Sequence, residues 1–95
     1  MNQADFEKKL HAEGYGEMVD RRMEANHFNP EHEHEFDACV LVLDGEMTIA
    51  RHGKPETLRA GDLCAMSAGT AHTEQCGPAG VRYLAGRRYK QQAAS

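Results

Sequence analysis

From Glu17 onward, the chain is a succession of short apolar stretches that end at glycine, aspartate or proline. Stretches of this kind at close spacing are typical of antiparallel strands joined by tight turns. The sequence therefore predicts an all-β sandwich or barrel. The predicted strands cover residues 17–25, 32–43, 46–51, 56–59, 63–66, 71–76 and 81–87. Turns are predicted at Asp44-Gly45 and within RHGKPE, RAGD, SAGTAH and CGPAG, and NHFNPE is predicted to be a loop.

Ahead of the strands, residues 3–12 carry the pattern of a short amphipathic helix. Phe6 and Leu10 are four positions apart and form one apolar stripe. Asn2 suits the N-cap, and Gly14 suits the end of the helix. We expect this helix to pack on the strands.

The 95 residues suit one domain. We expect a helix and lead-in at 1–16, a barrel at 17–87 and a solvated tail at 88–95, with Arg87 at the boundary of that tail. A net charge of -4 argues against a nucleic-acid partner. No apolar segment reaches the ~20 residues that a membrane-spanning helix needs.

The three cysteines, Cys39, Cys64 and Cys76, are odd in number and form no C-x-x-C pair. This pattern argues against a disulfide framework and favours a reducing compartment, so we expect the protein to be cytoplasmic.

Alternation along the predicted strand at 32–43 separates two faces. One face carries His32 and His34 and continues as apolar residues. The opposite face carries Cys39, Leu41 and Leu43, which are also apolar, so something must cover it. The N-terminal helix or a second copy of the chain would do so, and we expect a homodimer.

Two histidines in an H-x-H pattern on a strand lie ~7 Å apart on one face, so both rings can converge on one cation. His72, on a later predicted strand, supplies a third imidazole, and alternation turns Glu74 to the same side. The alternative is a polar pocket that binds no metal.

These residues give the chain a resemblance to the cupin superfamily of small jelly-roll barrels, also described as double-stranded β-helices. The first cupin motif reads G-x5-H-x-H-x3,4-E-x6-G, and the chain matches it at His32, His34 and Gly45. The second reads G-x5-P-x-G-x2-H-x3-N, and the matches are Gly61, Gly69 and His72. The resemblance spans residues 17–87 and implies a cupin barrel with a short N-terminal helix.

Four positions depart from the motifs: Asn26, Ala38, Ser67 and Cys76. Ala38 stands where many cupins have a glutamate that binds the metal. The resemblance therefore implies a ligand set of His32, His34 and His72 and one divalent transition metal ion, which would be Zn, Fe, Ni, Mn or Cu.

The roles of three further residues stay open. Glu74 is a candidate catalytic residue, and its alternatives are a fourth metal ligand, a charge that binds a cationic group, or a partly exposed glutamate. Cys76 is a soft ligand, an oxidation-prone thiol or a core residue. Tyr83 donates a hydrogen bond into the pocket or packs in the core.

The resemblance implies a small-molecule ligand or substrate and leaves two functions open. One is an enzyme of the dioxygenase, isomerase or lyase type that acts on a small metabolite. The other is a binding or sensing module without catalysis, because a fold alone does not decide between them.

Overall fold

The computed structural model describes residues 1–89, in which one α-helix precedes six β-strands. Helix α1 spans Gln3–Ala12, with Asn2 as its N-cap, as the sequence predicts. The strands are β1 Glu17–Met23, β2 Phe28–His32, β3 Phe36–Arg51, β4 Lys54–Arg59, β5 Leu63–Met66 and β6 His72–Tyr89. The predicted all-β class with a short N-terminal helix is confirmed.

The two long strands, β3 and β6, pair with each other in antiparallel fashion from Phe36↔Tyr89 to Ala50↔Thr73. Strands β1 and β5 join one half of this ribbon, and β2 and β4 join the other half. Each half is therefore a four-stranded antiparallel sheet, and β3 and β6 belong to both. Two sheets that share their central strands can fold over one another and enclose a core.

The turns predicted at Asp44-Gly45 and in CGPAG are wrong, because β3 and β6 continue through both segments. The β3–β6 register shifts between Val42 and Asp44 and again between Gly45 and Met47. Bulges of this kind bend a strand without reversing it. The turns predicted in RHGKPE, RAGD and SAGTAH are present.

The segment predicted as a loop before His32 contains a strand, β2, and the strand predicted at 32–43 begins only at Phe36. Strand β2 pairs with β6 alone, and this edge position tolerates its proline, Pro30. The predicted tail is also wrong in part, because β6 runs to Tyr89; the remainder, 90–95, lies outside the described residues.

Two clusters of buried side chains fill the structure. The inner cluster lies between the two sheets and comprises Val40, Val42, Met47, Ile49, Leu58, Cys64, Met66, Cys76 and Val81. The outer cluster joins Phe6 and Leu10 of α1 to Cys39, Leu41 and Leu84 on the other face of the strands.

The helix therefore covers the outward apolar face, and Cys39 and Leu41 are buried within one chain. The sequence argument for a homodimer assigned that face to a second copy, and this premise is wrong. The homodimer itself stays a prediction.

All three cysteines are free and buried. Burial raises the pKa of Cys64 to about 11, so its thiolate is scarce at neutral pH. Among residues 1–89, no helix is long and apolar enough to cross a membrane. The cytoplasmic location stays a prediction.

The two long strands come very close together at a pair of glycines, Gly45 and Gly80. Gly45 has a φ of +78°, and a Cβ built on it would lie 2.0 Å from the carbonyl oxygen of Gly80. Only glycine avoids both the left-handed strain and this overlap with backbone.

We predict that Gly45→Ala lowers the free energy of unfolding by about 2–5 kcal/mol, since left-handed strain costs about 1–2 kcal/mol and overpacking adds about 1–3 kcal/mol. Gly53→Ala is the matched control, because Gly53 has a φ of +73° and nothing lies within 4 Å of its built Cβ. The Gly53→Ala variant should lose only the free energy that the left-handed strain costs. Urea denaturation followed by circular dichroism measures both, and equal losses would contradict the close approach.

Candidate metal centre

Three histidines from three segments meet at one end of the barrel. His32 is the last residue of β2, and it pairs directly with His72, the first residue of β6. His34 lies in the connection between β2 and β3. The ring centroids of His32 and His72 are 4.4 Å apart, and the ring of His34 is 4.9 Å from the first and 5.4 Å from the second. One nitrogen from each ring lies within 4.8 Å of the others.

Two backbone carbonyls fix which nitrogens of these rings are available. Nδ1 of His32 lies 2.8 Å from the carbonyl oxygen of Pro30, and Nδ1 of His72 lies 2.9 Å from that of Thr70. A carbonyl oxygen only accepts, so each Nδ1 carries the proton and donates it. Nε2 of both rings is left with a free lone pair. Metal-binding histidines typically have this arrangement, in which one ring nitrogen donates its proton to a backbone carbonyl and the other binds the metal.

His72 provides the clearest sign that the cluster fits a cation. The residue is 2 % exposed, and within residues 1–89 its Nε2 has no hydrogen-bond partner. The nearest carboxylate oxygen, Oε2 of Glu74, is 3.6 Å away. A buried polar atom without a partner is costly, and a metal ion among the three nitrogens would satisfy it. The cluster could therefore hold a metal ion.

The surroundings of His34 favour a neutral imidazole ring. Burial lowers the pKa of His34, and the nearby rings of His32 and His72 lower it further. Neutral imidazole is the form that binds a metal, because the ligand nitrogen must be deprotonated.

Glu74 lies beside the histidines, as strand alternation predicts. It is 9 % exposed, and its Oε1 is 3.8 Å from Nε2 of His32 and accepts a hydrogen bond of 2.9 Å from Nδ2 of Asn29. The amide oxygen of Asn29 in turn lies 2.8 Å from Nε2 of His27. The interpretation as a partly exposed glutamate does not agree with this burial, whereas a catalytic role stays a prediction.

Three other positions discussed from the sequence are now placed. Ala38 lines the cavity next to the histidines. Cys76 belongs to the inner cluster, with its Sγ 3.6 Å from the carbonyl oxygen of Met23, which agrees with a core residue. Tyr83 lines the cavity, and burial raises the pKa of its hydroxyl.

The cavity beside the histidines has a volume of about 180 Å³. Its wall combines His32, His34 and Glu74 with apolar side chains and two arginines, Arg21 and Arg87. The sequence interpretation missed Arg87, because it was assigned to the edge of a solvated tail. Alternation from Tyr83 through position 85 to 87 would have turned it inward.

Arg88 faces the other side of β6, where it donates hydrogen bonds of 3.1 and 3.0 Å from Nε and Nη2 to Oδ2 of Asp37. The expected solvated tail is therefore wrong for this residue as well.

The sequence model of the cupin domain matches residues 20–84, which is more than half of the chain. The chain therefore belongs to the cupin domain family, and the fold is that of a small cupin. None of the curated proteins that were compared matches it.

Solved cupin structures resemble this one at low sequence identity. A DMSP lyase, DddQ, from Ruegeria pomeroyi superposes with a TM-score of 0.71 at 23% identity, over 81% of this chain and 40% of that chain. A predicted oxalate decarboxylase from Thermotoga maritima gives 0.70 at 20% identity, over 87% and 74%. A cupin-2 domain protein from Shewanella frigidimarina gives 0.65 at 21% identity, over 75% and 68%. These likenesses confirm the cupin fold.

We predict a pH dependence of stability that comes from His34. Its pKa in the folded chain lies below the ordinary 6.5, so the unfolded chain binds the proton more readily. As the pH falls below about 6.5, the metal-free wild-type protein should lose stability relative to a His34→Gln variant. Urea denaturation in the presence of a chelator, at several pH values between about 7.5 and 5.5, measures the difference. A difference that stays constant with pH would contradict the lowered pKa.

Proposed function

We propose that the protein is a metal-dependent cupin enzyme in which His32, His34 and His72 bind one divalent transition metal ion and a small metabolite occupies the adjoining cavity. The buried, unpartnered Nε2 of His72 at the meeting point of the three rings carries this proposal. Imidazole donors suit Zn, Fe, Ni, Mn or Cu, and three ligands leave coordination positions open for a substrate.

The reaction we propose is a proton transfer of the lyase or isomerase type. Bound at the histidines, a divalent cation would supply Lewis acidity toward a substrate oxygen. The chain itself supplies Glu74, whose carboxylate lines the cavity within 4 Å of two imidazoles. Asn29 holds this carboxylate through its amide N–H, so Glu74 is positioned to take a proton from a substrate and return it. Dioxygenase chemistry would use the same histidines and would be recognised by oxygen uptake.

The second candidate is a binding or sensing module without turnover. One observation favours it: Ala38 lines the cavity at the motif position where many cupins have a carboxylate. If Glu74 serves only to orient His32 and His72, no acid–base group remains at the site. The two candidates therefore differ in what Glu74 does.

We predict that replacing His32, His34 or His72 with alanine lowers the metal content of protein purified without a metal-affinity tag by at least about tenfold, because losing a ligand costs more than losing a supporting contact. His11→Ala is the control, since His11 is exposed on α1. Elemental analysis per folded chain is the measurement. Full occupancy in the triple variant would show that any metal binds elsewhere.

We predict that Glu74→Gln keeps the metal content and slows turnover by about 100-fold or more, because an amide cannot carry a proton between substrate atoms. The substrate is first sought in a panel of small metabolites incubated with metal-loaded protein. Glu33→Gln is the control, since Glu33 neighbours His32 and His34 and is exposed. A metal affinity weakened by about 10–100-fold would instead identify a residue that supports the metal. Unchanged turnover would rule out the acid–base role.

A further inference from the structure

One cation in the cavity wall lacks a partner that fits its geometry. The side chain of Arg87 is 22 % exposed, and its Nε is buried without a hydrogen-bond partner within residues 1–89. The nearest carboxylate oxygen that it faces, Oε1 of Glu17, is 3.7 Å from Nη1, which is too far for a good hydrogen bond. A buried guanidinium N–H without an acceptor is costly, and its presence in a folded protein calls for a physical explanation.

The position of Arg87 connects it to the histidines through an aromatic ring. Its Cζ lies over the ring of Phe36 at 4.8 Å from the centroid, and the same ring stacks with His34 at 4.7 Å and an interplanar angle of 19°. A guanidinium donates its hydrogen bonds in its own plane. The contact with Phe36 uses none of these N–H groups as hydrogen-bond donors to oxygen, so Nε keeps its capacity to donate to an acceptor.

A second arginine strengthens the positive character of the cavity. Arg21 of β1 pairs in register with Tyr83 of β6, and both line the cavity together with Arg87. Glu74 is the only carboxylate among the described residues of this lining. Two arginines oppose one carboxylate in this lining, and a divalent cation at the histidines would increase the positive excess.

We propose that this cavity recognises a small carboxylate, which accepts hydrogen bonds from Nε and a terminal nitrogen of Arg87, while Arg21 adds electrostatic attraction. The inference names the class of substrate for the proposed function. It depends on that proposal only for the assumption that the substrate binds in this cavity. The flat two-oxygen edge of a carboxylate matches the flat donor edge of one arginine. A cavity of about 180 Å³ limits the ligand to a short acid, whose hydrocarbon part would lie against Val19 and Met66.

The test compares butyrate with butyramide, which has nearly the same shape and no charge. Binding is followed by NMR titration of chelator-treated, metal-free protein and of zinc-loaded protein. We expect metal-free protein to prefer butyrate by at least about tenfold, as charge-assisted bonds to a buried arginine should give. Arg87→Met should remove this preference. Arg82→Met is the matched control, because Arg82 lies on the same strand, bonds to Asp20 and is outside the cavity lining.

A second variant keeps the test decisive if Arg87→Met fails to fold. Arg87→Lys retains the charge and loses the flat donor edge, so the preference for butyrate should fall severalfold. An unchanged preference in Arg87→Lys would overturn the contact with Nε. Equal binding of butyrate and butyramide would overturn the substrate class, as would tighter binding of inorganic phosphate than of butyrate.

The metal-free and zinc-loaded arms separate this inference from the proposed metal site. If the preference arises only with zinc and survives Arg87→Met, the carboxylate binds at the histidines; the inference then fails and the metal site stands. If the triple histidine variant binds no zinc and still prefers butyrate, the inference is supported. The metal proposal does not depend on that outcome, since it is judged by the metal content of the wild-type protein.

Discussion

The antiparallel pairing of β3 with β6 is the interaction on which the rest of this structure depends. Every other strand attaches to one of these two, and neither half of the barrel exists without both. The ribbon bends where Gly45 meets Gly80, which lets one hydrogen-bonded ladder serve two facing sheets. Its inward face becomes the core and cavity, and its outward face receives α1.

This bend also explains how one strand supplies opposite walls of the same cavity. His72 and Glu74 stand at the beginning of β6, in the half that contains β2 and β4. Tyr83 and Arg87 stand near its end, in the half that contains β1 and β5. A straight strand would separate residues so far apart in sequence by tens of ångströms, at ~3.3 Å per residue. The cavity therefore combines the carboxylate of Glu74 with the guanidinium of Arg87 because β6 folds over itself.

The sequence predicted the parts of this molecule that depend on local chemistry. The capped helix, the three converging histidines and the inward side of Glu74 follow from capping, from motif spacing and from alternation within a few residues. The continuity of β3 past Gly45 was missed, because a glycine at positive φ serves a bulge as well as a hairpin, and only the partner strand distinguishes them. Arg87 was missed for a related reason: its inward position depends on β6 remaining a strand to Tyr89.

The three histidines belong to segments that are already joined by the pairing of His32 with His72 and by a hydrogen bond from the N–H of Gly69 to the carbonyl oxygen of His34. His32 ends an edge strand, His34 lies in a connection without regular structure, and His72 follows the turn that carries Thr70. An ion held among them would act as a reversible cross-link, closing loops that the chain must otherwise keep closed at an entropic cost. The fraction of chains with a bound ion would then determine how often this end of the barrel opens. Slower amide hydrogen exchange around residues 28–36 and 67–74 would report a filled site even before any reaction is known.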